Sequence, residues 1–152
     1  MPSLDIYLDD FQPGESHVSP PQTITEEESI AFANRYDPQP FHTDRVAARD
    51  TAFGELVCSG FQTAAMAWAL VQATGMFERC AIAGIGIDEL RWLAPVKPGD
   101  KLRCRFTLLD AKPSSSKPDR GVARFRYEVI DQDERTVMTL VILQILRYRP
   151  RL

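Results

Sequence analysis

Histidine and cysteine, the residues that most often hold metals or attack carbonyls, are scarce in this 152-residue chain: two of the first, three of the second. Cys58, Cys80 and Cys104 are odd in number, widely spaced and without a C-x-x-C pair, which excludes a disulfide framework and leaves no zinc-binding pattern. They read as free thiols in or near a core. A basic excess is also lacking: 18 Lys and Arg stand against 21 Asp and Glu, a net charge of −3, whereas a nucleic-acid binder needs a positive surface. Long apolar runs are missing as well. The longest, Ala64 to Val71, is eight residues, against the roughly 20 of a membrane span. The opening MPSLDIYLDDF has no charged-then-apolar leader, and no repeat recurs along the chain. The expectation is one soluble, cytoplasmic domain over residues 1–152, bound to neither nucleic acid nor membrane.

What is present divides by period. Thr25 with Glu28 forms a capping box, the hydroxyl accepting from the Glu28 amide and the carboxylate from the Thr25 amide. Ile30, Phe32, Ala33 and Tyr36 continue a helical stripe, and Pro38 and Pro40 stop it. A short helix is expected over 44–50, begun by Asp44. Ser59 is placed to cap the longest helix, about Gly60 to Thr74, with Gly75 at its end. This helix carries no charge, so it should be buried on most sides. From Leu102 the period changes to two. Leu102, Cys104, Phe106 and Leu108 alternate with polar residues, as do Phe125, Tyr127 and Val129, which reads as half-buried antiparallel strands. Val137 to Ile145 is apolar on both phases, a strand covered on both faces, and 81–94 is a further strand. Residues 111–121, AKPSSSKPDRG, read as an exposed connection. One apolar helix followed by antiparallel strands forms a core only if the sheet curves around the helix, an α+β fold.

The chemistry concentrates in Tyr36-Asp37-Pro38-Gln39-Pro40-Phe41-His42-Thr43-Asp44. Asp37 and His42 are held apart by a segment whose two prolines remove backbone freedom. A pre-set carboxylate and imidazole suit acid–base work on a small molecule. The same residues also fit a helix-end cap at Asp37 and a loop hydrogen bond at His42. His17 reads as a surface residue. Arg103, Arg105, Arg124 and Arg126 share an outward phase and fit either a solvated sheet face or a phosphate-binding surface.

Tyr-Asp-x-Gln-Pro-x-His-x-Asp resembles the hydratase motif of the MaoC-like dehydratases and (R)-specific enoyl-CoA hydratases. Phe53-Gly54, Cys58-Ser59-Gly60-Phe61 and the run Leu90-Arg91-Trp92-Leu93-Ala94-Pro95-Val96-Lys97-Pro98-Gly99-Asp100 resemble further segments of that family, in register. The resemblance spans about residues 10 to 148. It implies a single hot-dog domain, a curved antiparallel sheet wrapped around a long central helix. It also implies addition of water across the 2,3-double bond of an enoyl thioester, or the reverse dehydration. Asp37 and His42 would be the catalytic pair. Ser59, Gly60 and Phe61 would form the oxyanion and substrate-binding segment, where the amides of a helix N-terminus face developing charge and Gly60 admits the thioester. No metal or redox cofactor is implied, coenzyme A being part of the substrate. The family's edge-to-edge pairing implies a homodimer. Gln39 stands where well-characterised hydratases carry Asn, and Ser59 where many members carry His. Trp68 falls near a family serine and implies a reshaped acyl pocket. The rival readings are a hot-dog thioesterase, which lacks the Asp-x4-His arrangement, a non-catalytic acyl-binding module, and a half-site protein.

Overall fold

The computed structural model describes residues 3–152. After a single 3-10 turn at Leu8–Asp10, the elements run β1 (Ser16–Val18), β2 (Gln22–Thr23), α1 (Glu26–Tyr36), α2 (Pro40–Thr43), α3 (Arg45–Ala48), α4 (Gly60–Gln72), β3 (Ala81–Trp92), β4 (Lys101–Pro113), β5 (Arg120–Ile130) and β6 (Thr136–Arg147). All strand pairs are antiparallel, in the order β1-β4-β5-β6-β3, with β2 also beside β4. The inner face carries the alternating residues that the sequence marks: Phe106, Phe125 and Tyr127 lie in neighbouring positions and are almost wholly buried. Ala67, Leu70 and Val71 of α4 close the core from the other side, with Phe77 stacked on Phe11 at 5.2 Å and edge-on to Phe125 at 5.3 Å.

The capping box at the head of α1 has both halves formed. Four details depart from the sequence reading. Pro40 does not only end helical structure. It starts the one-turn helix α2, because a proline at the first helical position loses no hydrogen bond and has the right φ. The connection expected over 111–121 is shorter, since β4 runs to Pro113 and β5 starts at Arg120. His17 is half-buried on the inner phase of β1 opposite Phe106, with its ring tilted over the Phe106 ring at 5.5 Å. β1 and β2, too short to leave a periodic signal, are absent from the sequence reading. The three cysteines are free and buried, as expected. Asp44 caps α3 through Val46 and Ala47 amides. The outward arginines mostly meet carboxylates, Arg105 with Glu128 and Arg124 with Asp110 among them, on the sheet face away from α4. Among the described residues no helix is long and apolar enough to cross a membrane.

The edge strand β3 differs from the rest. It has one neighbour, β6, and its register slips at three places along that pairing. Ile85 and Ile87 are each 52% exposed, whereas the apolar residues of the central strands β5 and β6 are buried or half-buried.

Candidate active site

Asp37 is the C-cap of α1, its amide donating to the Ala33 carbonyl at 2.9 Å. The turn that follows is tight, with the Gln39 amide returning to the Asp37 carbonyl at 2.8 Å, and Pro40 then launches α2. One helical turn later His42 arrives facing back, so that its Nε2 lies 3.3 Å from Asp37 Oδ2. The two side chains are 8% and 13% exposed. Five residues apart in sequence, they meet because two helix ends enclose a proline-restricted turn.

The other nitrogen of His42 is committed. Nδ1 lies 2.7 Å from the Val57 carbonyl, which can only accept, so Nδ1 carries the proton. Val57 is itself strapped down by its amide to the Phe41 carbonyl at 2.9 Å. In neutral imidazole Nε2 is then a lone pair facing a carboxylate. Two acceptors at that distance need hydrogen between them, from Nε2 protonation or from a molecule such as water donating to both.

Asp37 is held on both oxygens. Gln39 Nε2 donates to Oδ1 and Ser59 Oγ to Oδ2, each at 2.7 Å. Desolvation pushes the carboxyl up, but the hydrogen bonds from Gln39 and Ser59 and the charge His42 can carry outweigh it. The net is a carboxyl held below its ordinary value. Ser59, fully buried, also caps α4 by accepting from the Phe61 amide at 3.3 Å. One hydroxyl therefore fixes the Asp37 carboxylate to the start of the long helix. The Gly60 amide is in the first position of α4, where no intrahelical acceptor exists.

These groups border a cavity of about 390 Å³ walled by Phe41, Phe53, Phe61, Trp92 and the 93–96 loop. Asp37, His42, Gly60 and Phe61 all line it, and Ser59 reaches it through Asp37. Gly60 has a second reason to be glycine. A Cβ there would lie 2.5 Å from Trp92 Cε2 and Nε1, and the indole Nε1 donates to the Gly60 carbonyl at 3.0 Å. The space that the sequence reading reserves for a thioester above Gly60 is bordered on that side by Trp92. Cys58 also lines the cavity, but burial pushes its thiol up to about 11, against help from Ser29, so it is no thiolate nucleophile. Trp92, Phe41 and Phe53 are the lining residues that sequence reasoning misses, and Gln39 turns from a substitution of note into a direct partner of Asp37. Among the described residues no cluster of His, Cys, Asp and Glu could hold a metal.

The family model described as "MaoC like domain" matches residues 10–129, which include the Asp37–His42 loop, α4 and five of the six strands entirely or almost so. The chain belongs to the MaoC-like domain family. Among relatives of this MaoC-like chain, protein MaoC of Klebsiella aerogenes is 36% identical over 102 residues, 66% of this chain but 30% of that protein. The uncharacterised protein YdeM of Bacillus subtilis is 29% identical over 106 residues, 70% of this chain and 75% of its own length. The chain thus spans about a third of the first of these relatives and most of the second. The solved MaoC-like dehydratase from Rhodospirillum rubrum superimposes with a TM-score of 0.87 at 33% identity, covering 96% of this chain and 99% of that one. The double hot-dog protein RV0216 from Mycobacterium tuberculosis matches 96% of this chain on 45% of its own, with a TM-score of 0.79 at 20% identity. That likeness shows the hot-dog fold.

The grip on Asp37 has a measurable signature. A form of Asp37 that must be ionised for activity sets an acid limb in the pH profile of kcat/KM. Gln39→Leu removes a hydrogen bond that favours the carboxylate, so the Asp37 pKa rises and the acid limb moves to higher pH. An unmoved limb would show that Gln39 does not tune this group. The same depressed value contributes stability that is present above the ordinary carboxylate range and lost as pH falls from there through the depressed value.

Proposed function

We propose that this protein hydrates the 2,3-double bond of an enoyl-CoA, or runs the reverse dehydration of the (R)-3-hydroxyacyl-CoA. The observation that carries the reading is the 3.3 Å approach of Asp37 Oδ2 to His42 Nε2, with Nδ1 already committed to Val57, at the mouth of α4. A water placed between the two donates one hydrogen to each. Asp37, held below its ordinary value by Gln39 and Ser59, is the weaker proton acceptor and stays a carboxylate that orients the water. His42 Nε2 takes a proton as the water oxygen bonds to C3. The electron pair of the double bond moves through C2 toward the thioester oxygen, where the Gly60 amide and the N-terminal end of α4 meet the charge. The enolate collapses by taking the proton from His42 onto C2. Water has then been added and both groups are restored. As written the step balances without a metal or redox cofactor, and coenzyme A enters as part of the substrate.

The test is a panel of trans-2-enoyl-CoAs, following loss of the conjugated thioester absorbance with parallel titration of free thiol. Loss of absorbance without thiol release supports hydration. Thiol release without hydration would replace this reading by a thioesterase, and inertness toward the whole panel by a binding module.

We further propose that the working form is a homodimer joined through β3. A long edge strand with two exposed isoleucines, continuing into Trp92 at 50% and Leu93 at 57% exposure, is a surface that proteins cover or pair. Two-fold pairing of identical edges is the commonest way. Light scattering should give twice the chain mass or an even multiple, and a stable, fully active monomer would overturn the proposal.

A further inference from the structure

The four outward arginines of β4 and β5 fit a solvated sheet face or a phosphate, and the structure separates them. Arg103 meets Glu134, Arg105 lies 3.6 Å from Glu128 and Arg124 reaches Asp110. Arg126 alone of the four forms no ion pair among the described residues. It lines instead a cavity of about 250 Å³ on the sheet face away from α4, shared with Arg91, Thr139 and Glu89.

Arg91 is there because of a bulge. From Asp88 to Arg91 β3 takes three steps where β6 takes two, from Val141 to Thr139. The extra residue keeps Arg91 on the outward phase of Asp88, which unbroken alternation would deny it, and turns Trp92 toward the cleft. Glu89 carries the bulge at φ 53, in the left-handed region that few residues other than glycine adopt. Glu134, which shares that conformation, lies in the turn between β5 and β6. Arg91 pairs with Thr139 and Arg126 with Val141. The two guanidiniums thus rise from the strands on either side of β6, whose backbones are about 10 Å apart. Arg91 donates from Nη1 to the Leu90 carbonyl at 2.9 Å and forms no ion pair among the described residues. Glu128, the acid beside Thr139, is already taken by Arg105.

Two guanidiniums without carboxylates, facing one cavity beside a hydroxyl, offer forked N–H donors that match the oxygens of a tetrahedral anion. The neighbouring acids narrow the choice. Glu89 lines the cavity, and Asp88 stands beside Val141 on the same face. Sulfate, fully ionised, meets their charge with nothing to donate. A phosphate group that keeps one proton has a P–O–H that can donate to a carboxylate. We propose that this cavity binds such a protonated phosphate, free or as a small monoester, between Arg91 and Arg126 with its P–O–H turned to Glu89. The site lies on the other face of the sheet from Asp37 and His42, and it does not depend on the reaction assigned to them.

The probes are sodium phosphate, methyl phosphate and sodium sulfate, titrated calorimetrically into the full chain near neutral pH. Ionic strength is held constant, because exposed charges are screened by salt. Phosphate or its monoester is expected to bind saturably, one per chain, and sulfate about tenfold more weakly, the loss of one hydrogen bond to a charged group. Whichever phosphate binds tighter identifies the source. Arg126→Gln and Arg91→Gln should each weaken that binding about tenfold or more. Arg124→Gln, whose guanidinium belongs to Asp110, should change it by less than about twofold. Glu89→Gln should let sulfate bind as well as phosphate. The substituted side chains point outward from the sheet, and circular dichroism checks that each variant is folded; should Arg91→Gln disturb the bulge, Arg126→Gln decides alone. Equal binding of sulfate and phosphate, an affinity unmoved in Arg126→Gln, a sulfate discrimination undiminished in Glu89→Gln, or no saturable binding would each overturn the proposal.

Discussion

Asp37→Asn, His42→Ala and the double variant are expected to lose similar amounts of hydratase activity, about 100- to 10,000-fold each, the range typical of a positioned acid–base group. The reason for non-additivity is the shared water. With His42 gone no group takes the proton, however well Asp37 orients the oxygen. With Asn at 37 the amide nitrogen must face one of two donors, Gln39 Nε2 or Ser59 Oγ, and the water loses its fixed acceptor. Removing the second member of a broken unit then costs little more. Steady-state kcat/KM for the four proteins, with circular dichroism to show each is folded, decides it. Near-normal hydration by His42→Ala would sink the mechanism, and a double variant equal to the product of the two single losses would separate the residues into independent roles.

Gly60→Val carries the second large effect. The added carbons enter the indole of Trp92, where even one Cβ stands at 2.5 Å. Trp92 must swing away, losing its hydrogen bond to the Gly60 carbonyl and its edge contact with Phe61. Overpacking of this kind costs about 1–3 kcal/mol. Turnover should fall by about 100- to 1,000-fold, the loss seen when a single oxyanion donor is compromised. The two effects are separable. Adding Trp92→Ala relieves the clash and should restore the melting temperature, while turnover stays low because the valine still crowds the thioester against the helix amide. Recovery of both together would assign Gly60 to packing with Trp92 alone.

The meeting of Asp37 with His42 and the long helix were legible because their signals are local. A capping box, a proline-bracketed Asp and His, and a charge-free stretch opened by Ser59 each sit within a few residues, and each stands where expected. The curved sheet was legible from the alternation in β4 and β5. What stayed hidden depends on distant partners. Gln39 is an ordinary polar residue until the turn brings it against Asp37, and Trp92 belongs to the catalytic cleft only because β3 ends above Gly60, 32 residues away in sequence. β1 and β2 are three and two residues long, too short for a period, and exist because β4 presents them a free ladder. Tyr127 keeps the inward phase of its strand, so its pattern announces a core position and conceals a hydroxyl buried without a hydrogen-bond partner among the described residues.

The topology has a consequence for how the molecule folds. β4, β5 and β6 form a meander joined by short turns, so their contacts close early and at low entropic cost. The remaining contacts are of high contact order: β1 reaches β4 across 91 residues at Ser16 and Thr107, and β3 must return to β6 at the far end of the chain. The candidate cleft is assembled from residues 37–42, Phe53, 57–63 and 92–96, all outside the meander. Its geometry is therefore expected to be completed only when the long-range contacts form, and the same segments are expected to open before the meander does under native conditions. Refolding followed by activity should lag behind refolding followed by strand signal. Amide hydrogen exchange should likewise find the catalytic loop freer than Phe106, Phe125 and Leu140.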